Sequence, residues 1–269
     1  MQVYKEFKIL SSRPKNSDLK KVKHALYGFV SVKKYFSTGQ WLKEIKKEVT
    51  KCDKKNKVPI LVGGTGLYFN AVTKGISKIP DIMPEKRISI RKLHKKIGQE
   101  KFYKKLLAID PTIRNKFSHT DTQRTLRAYE VKKITKKSLY EWARDTKSDF
   151  LDYDIKKIFL DVPREEILKN ISKRTKKMFN DKCIDEVKNF IKLNVEKSLS
   201  ANKLIGVKEI SEYLSGLSTL KQTKELINVK TRQYAKRQNT WSRGHMKNWN
   251  KLYSKNFSIL LKKTLKAVS

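Results

Sequence analysis

The residues that could carry chemistry start with Gly63-Gly64-Thr65-Gly66, directly behind the apolar run Val58 to Val62. Glycines let a backbone come close to a phosphate or a base. The hydroxyl of Thr65 either faces a ligand held in that turn or caps the helix predicted by Leu67, Phe69 and Val72. A second set is Gln123, Arg124 and Arg127. Arg124 and Arg127 are three apart and share a helix face, a spacing that fits a solvated surface as well as an anion site. A third set runs from Thr231 to Arg243, where Arg232, Lys236 and Arg243 alternate with Tyr234 and Trp241. That pattern suits a helix lying along a phosphate backbone. Cys52 and Cys183 are isolated and lack metal-ligand spacing. They predict a reducing compartment and no structural zinc.

The elements that must position these groups follow from hydrophobic periodicity. Val58 to Val62 has the length and composition of a strand buried on both faces. Strand, glycine turn and helix in that order place a ligand at the carboxyl end of an α/β strand. Upstream, Met1 to Tyr4 predicts the end of a strand, Ser11 to Lys23 a loop broken at Pro14, and Ala25 to Val32 a further strand. Gln40 to Val49 carries Trp41, Leu42, Ile45 and Val49 at helical spacing. Downstream, Ile79 to Pro84 predicts an extended linker and Glu85 to Leu107 a basic amphipathic helix. Asp110-Pro111 predicts the start of a helix, and Asp121 is the expected N-cap of the next. Ile155 to Val162 is a second candidate core strand, and Pro163 opens a long helix with Ile167, Leu168, Ile171, Met178 and Phe179 on one stripe. Ile205-Gly206-Val207 precedes a helix that runs to Leu214.

A length of 269 residues allows one large domain or two modest ones. Basic residues number 64 against 26 acidic ones, a net charge of +38 that points to a polyanionic partner, nucleic acid first. Lysine dominates the excess, as an AT-rich genome would also produce. No apolar run approaches the roughly 20 residues of a membrane span. With no signal-peptide pattern at the start, a cytoplasmic protein without a membrane partner is expected.

Four blocks in order resemble the bacterial tRNA dimethylallyltransferase (tRNA isopentenyltransferase) family. They are Leu61 to Tyr68; Asp121-Thr122-Gln123-Arg124 with Arg127 to Val131; Ile205-Gly206 with Glu209; and Thr231-Arg232-Gln233 with Ala235 to Gln238 and Thr240-Trp241. The resemblance covers almost the whole chain. It implies an α/β fold, a P-loop kinase-like parallel sheet of the ATP-binding class with a helical tRNA-gripping part. The implied reaction moves a dimethylallyl group from dimethylallyl diphosphate to the exocyclic amine of the adenosine 3′ of the anticodon, with Mg2+ as cofactor. Chemistry at a base edge needs that base extruded, so the resemblance implies a channel between core and helices. By the same resemblance Thr65 is the catalytic residue facing the adenosine. Met1 and Gln2 end a tRNA-contact motif, and Arg87 is a basic contact after the linker. Gln123, Arg124, Thr125, Leu126 and Arg127 meet the anticodon loop, and Arg232, Lys236 and Arg237 form the C-terminal basic motif. The expected division is an α/β core over 1–163 joined by 222–269, with a helical tRNA-facing part over 164–221, and the expected assembly is a monomer.

The departures are specific. The family's first strand and P-loop, with its Lys and Ser/Thr, do not occur in these residues, and its catalytic Asp would fall just before Met1. No cofactor-binding or metal-binding residue is therefore assigned in this chain. Ser11-Ser12 stands where the family has Gly-Thr, and Val207 where Tyr is common. Two accounts fit: coding sequence upstream of Met1, favoured because a sheet opened at residue 1 would be half-built, or a non-catalytic RNA-binding remnant that keeps the anticodon grip. A third, an isopentenyltransferase acting on free adenylate, fits less well, since a free nucleotide offers no stem-loop for the Gln123–Arg127 helix.

Overall fold

The computed structural model of the chain describes Met1 to Val268. In order, the elements are α1 (Asn16–Lys21), α2 (Thr38–Asp53), α3 (Gly66–Lys74), α4 (Pro84–Ile109), α5 (Thr122–Thr135), α6 (Leu139–Arg144), β1 (Ile158–Asp161), α7 (Arg164–Asn180), α8 (Cys183–Lys192), α9 (Val207–Leu214), α10 (Leu220–His245), β2 (Asn250–Tyr253) and α11 (Phe257–Val268). Among the described residues β1 and β2 form a two-stranded parallel sheet, with Ile158 opposite Asn250 and Asp161 opposite Tyr253. The fold is α/β, mostly helical with a small parallel sheet.

The chain divides into two compact units: Met1–Phe69 with the chain from Tyr153 onward, and Asn70–Asp152. The boundaries expected at 163 and 221 do not coincide with this division, because the helices of 164–221 share a core with the N-terminal residues. Phe7, Leu10 and Val32 pack with Met178, Val187, Phe190, Ile210 and Ile227 in the first unit. The second unit has its own core of Ile90, Phe102, Leu106, Ile113, Ala128 and Tyr129. Each unit thus buries its own apolar cluster, as a stable domain must.

Helix ends follow the sequence signals. Asp121 caps α5, its Oδ1 accepting from Arg124 N at 3.1 Å. Thr219 and Gln222 form a reciprocal capping box at the start of α10, through Gln222 N to Thr219 Oγ1 at 3.2 Å and Thr219 N to Gln222 Oε1 at 2.8 Å. Two helix expectations shift. Pro14 does not keep Ser11–Lys23 free of helix, since α1 starts two residues after it, and Asp110-Pro111 starts only a 3-10 turn, Pro111–Ile113.

The expected strands differ more. Val58 to Val62 forms no regular element and pairs with no described strand, and Val58, Ile60 and Val62 are 86%, 82% and 78% exposed. A strand buried on both faces needs neighbours along both edges to take its backbone N–H and C=O groups. Periodicity reports the apolar run and cannot report its neighbours. Met1–Tyr4 and Ala25–Val32 reduce to a single parallel bridge, Tyr4 to Val30.

Candidate functional site

In the first unit the glycine turn is held by one face of α10. Gln238 Nε2 donates to the Gly64 carbonyl at 2.9 Å. A Cβ on Gly64 would lie 2.2 Å from Gln238 Nε2, and one on Gly66 would lie 2.2 Å from Trp241 Cε3. Position 66 therefore favours glycine for close approach to a ring rather than for a special backbone angle, whereas at Gly64 the amide end of Gln238 could swing aside. Trp241 in turn stacks on His245 with ring centroids 4.4 Å apart, and Trp41 stacks on Tyr68 at 4.1 Å. Flat rings on both sides of the α3 start leave the turn little freedom to relax.

Thr65 is exposed at the start of α3, where its carbonyl accepts from Tyr68 N at 3.0 Å. Its hydroxyl makes no hydrogen bond to a described residue, so the side chain does not cap the helix. Of the two roles open in the sequence, the cap is not the one this geometry shows. An exposed hydroxyl on a clamped turn can orient a polar group of a ligand.

The other face of α10 is basic. Arg232, Lys236 and Arg243 recur at helical spacing and are exposed, while Arg237 lies over the Tyr234 ring at 5.8 Å. Met1 is exposed, and Gln2 turns its side-chain amide onto the Ser12 carbonyl at 3.1 Å. The segment that follows is pinned by Glu186, whose carboxylate accepts from the N–H groups of Lys8, Ile9 and Leu10 at 2.5, 2.7 and 2.8 Å. Arg174 donates to the Leu10 carbonyl at 2.9 Å, and burial pulls its guanidinium pKa down.

In the second unit, α4 and α5 present a separate group. Gln123 and Arg124 are exposed and Arg127 is half-buried. Glu130 is only 4% exposed and sits 3.8 Å from Arg127 Nη1 and 3.9 Å from Arg91 Nε. Burial pushes its carboxyl pKa up, and Arg87, Arg91 and Arg127 pull it part of the way back. Thr125 does not belong with the contact residues. It is fully buried, donating to the Asp121 carbonyl at 2.8 Å and accepting from Gln99 Nε2 at 3.1 Å, so it braces α5 from within. Leu126 packs against the apolar core of the unit.

The expected site residues thus gather as two groups, Thr65 with the α10 residues in one unit and Arg87 with the α5 residues in the other. Arg91 joins them without having been singled out, and Gln238 and Glu130 join them from the resembling blocks, where no role was assigned to either. The signals existed: Arg91 follows Arg87 at one helical turn, and Gln238 stands one turn before Ser242 on the face opposite Arg232. No group of three His, Cys, Asp or Glu side chains among the described residues is placed to hold a metal ion, and no step is routed through Mg2+.

One consequence is testable directly. Gly66→Ala is expected to lower the melting temperature, although alanine normally favours a helix by about 1 kcal/mol. The contact with Trp241 outweighs that gain, since overpacking costs about 1–3 kcal/mol. A rise in melting temperature would show that the ring moves aside freely.

Residues 2–245 match the family model described as IPP transferase. A tRNA dimethylallyltransferase of Pelagibacter ubique (strain HTCC1062) is 50% identical over 252 residues, which cover 94% of this chain and 80% of that protein. One from Rickettsia typhi (strain ATCC VR-144 / Wilmington) is 39% identical over 242 residues, 90% of this chain and 78% of that one. The crystal structure of the full-length tRNA isopentenylpyrophosphate transferase of Bacillus halodurans superposes with a TM-score of 0.68 at 25% identity, covering 99% of this chain and 84% of that one. A structure of a eukaryotic dimethylallyltransferase acting on tRNA gives a TM-score of 0.73 at 22% identity over 90% of this chain and 61% of that one, a likeness of fold.

Proposed function

The chain belongs to the IPP transferase family, and from that premise we propose how it serves tRNA prenylation. The acceptor is the exocyclic amine of an adenosine next to the anticodon, the donor is dimethylallyl diphosphate, and the working form is a cytoplasmic monomer. The amine nitrogen bonds to the allylic carbon, the carbon–oxygen bond to the diphosphate breaks, and the amine gives up a proton. Thr65 orients the adenine through its unspent hydroxyl, and Gln238 and Trp241 fix the turn that carries it. Arg232, Lys236 and Arg237 hold the RNA backbone, and Arg124 and Arg127, with Gln123 beside them, meet the anticodon loop. Phosphate contacts supply affinity, while the turn supplies geometry.

The observation that carries this proposal is the clamped Gly63–Gly66 turn with its unused hydroxyl. The 269 residues contain no P-loop pattern, glycine-rich with Lys and Ser/Thr, to cradle the diphosphate. The chain alone is therefore expected to bind an anticodon stem-loop without transferring the group. A chimera carrying a P-loop-bearing first strand ahead of residue 1 is expected to incorporate labelled dimethylallyl into tRNA. Incorporation by the chain alone at the chimera's rate would refute this division of labour.

Binding should depend steeply on salt, because each phosphate engaged on a single strand contributes a slope of about −0.7 in log affinity against log salt. Titrating a stem-loop RNA at several salt concentrations checks it, and a flat response removes RNA as the partner. The noncatalytic reading, an RNA-binding protein only, is favoured instead if the chimera binds and still fails to transfer.

A further inference from the structure

We propose that Glu130 is a positioning residue whose buried carboxylate arrays Arg87, Arg91 and Arg127 as a phosphate-binding site for the RNA backbone. This rests on the tRNA-modifying role proposed above and adds Arg91 and Glu130 to it. Three guanidinium groups face one carboxylate, so the cluster keeps an excess of two positive charges. The carboxylate itself is closed to solvent, while the side chains of Arg91 and Arg127 are 55% and 39% exposed. At 3.8 and 3.9 Å these contacts are electrostatic and too long to be hydrogen bonds. Glu130 therefore orients the guanidinium groups without consuming the hydrogen bonds of Arg91, which makes none to a described residue. Arg87 adds a buried Nε that has no hydrogen-bond partner among the described residues. A buried donor of this kind calls for an acceptor, and the planar guanidinium fork fits a phosphate with two bonds at once.

The placement favours a phosphodiester in a folded RNA. Arg87 and Arg91 are one turn apart on α4, and Gln123, Arg127 and Glu130 lie on one stripe of α5. The array is thus continuous with an exposed amide able to meet a base edge, so phosphate and base contacts would come from one surface.

The test turns on a sign. Glu130→Gln removes a negative charge from a strongly basic protein, so simple electrostatics predicts tighter RNA binding. Loss of the array predicts weaker binding, on the order of tenfold. The measurement is affinity of the whole chain for an anticodon stem-loop RNA between about 50 and 200 mM salt, with circular dichroism melting alongside. Arg91→Gln should reduce the salt slope by about 0.7, the share of one phosphate. Lys54→Gln, an equal charge loss at the exposed end of α2, should leave the slope unchanged. If Glu130→Gln unfolds the protein, Arg91→Gln decides alone. Unchanged or tighter binding by folded Glu130→Gln, or equal slopes for Arg91→Gln and Lys54→Gln, would reduce the cluster to scaffold and overturn the proposal. Failure of the unsubstituted chain to bind stem-loop RNA would instead strike the tRNA-modifying role itself.

Discussion

Thr65→Ala is expected to slow dimethylallyl transfer by about a hundredfold, the scale seen when a reacting group is misplaced by an ångström. The affinity for tRNA and the melting temperature should stay nearly unchanged. The structure makes this expectation sharper than the sequence could. A threonine that capped α3 would cost about 1 kcal/mol of stability when truncated, but this hydroxyl makes no such bond, and the turn is secured by Gln238 and Trp241 instead. Single-turnover transfer in the P-loop-bearing chimera, with melting curves on the same samples, separates the outcomes. Intact turnover with a lowered melting temperature would leave Thr65 as part of the scaffold.

The second large effect concerns stability. Glu209 is 3% exposed, accepts from Gly206 N at 2.7 Å and receives Lys230 Nζ on its other oxygen. Removing one partner of a buried pair strands the other, and Glu209→Ala is expected to cost about 3 kcal/mol. Burial by itself raises the Glu209 pKa. The hydrogen bonds from Lys230, from its own backbone and from Gly206 outweigh that and hold the carboxyl below its ordinary value of 4.5. A depressed folded-state pKa means the unfolded chain binds the proton more readily. The contribution is therefore present above about 4.5 and lost as pH falls through the folded value. Denaturant unfolding of the native chain and of Glu209→Ala at pH 7 and in acid checks both parts. A gap between the two that stays constant with pH would disprove the linkage.

Helices were legible because each one carries its own evidence. Asp121 and the stripe of Ile171 and Met178 act within a few residues, and the chain obeys them. Strands were not legible in the same way, because Val58 to Val62 states an apolar preference while its pairing belongs to other segments. Site residues divided along similar lines. Type and spacing placed Arg232 and Lys236 on one helix face, and both are exposed there. The burial of Thr125 depended on which side of α5 meets Gln99, and the isolation of the Glu130 carboxylate depended on how α4 packs there. Helical spacing shows that residues share a face and does not show what that face meets.

The open run from Val58 to Val62 has a colloidal consequence. Unpaired backbone beside exposed Val58, Ile60 and Val62 is a template on which a strand from another molecule can add. What opposes that is the repulsion between molecules that each carry a net charge of +38. Salt shortens the reach of that repulsion to about 8 Å at physiological ionic strength and less above it, and leaves the apolar edge intact. The same salt that releases the RNA therefore also lowers the barrier to self-association, so low ionic strength is the condition under which this chain stays dispersed.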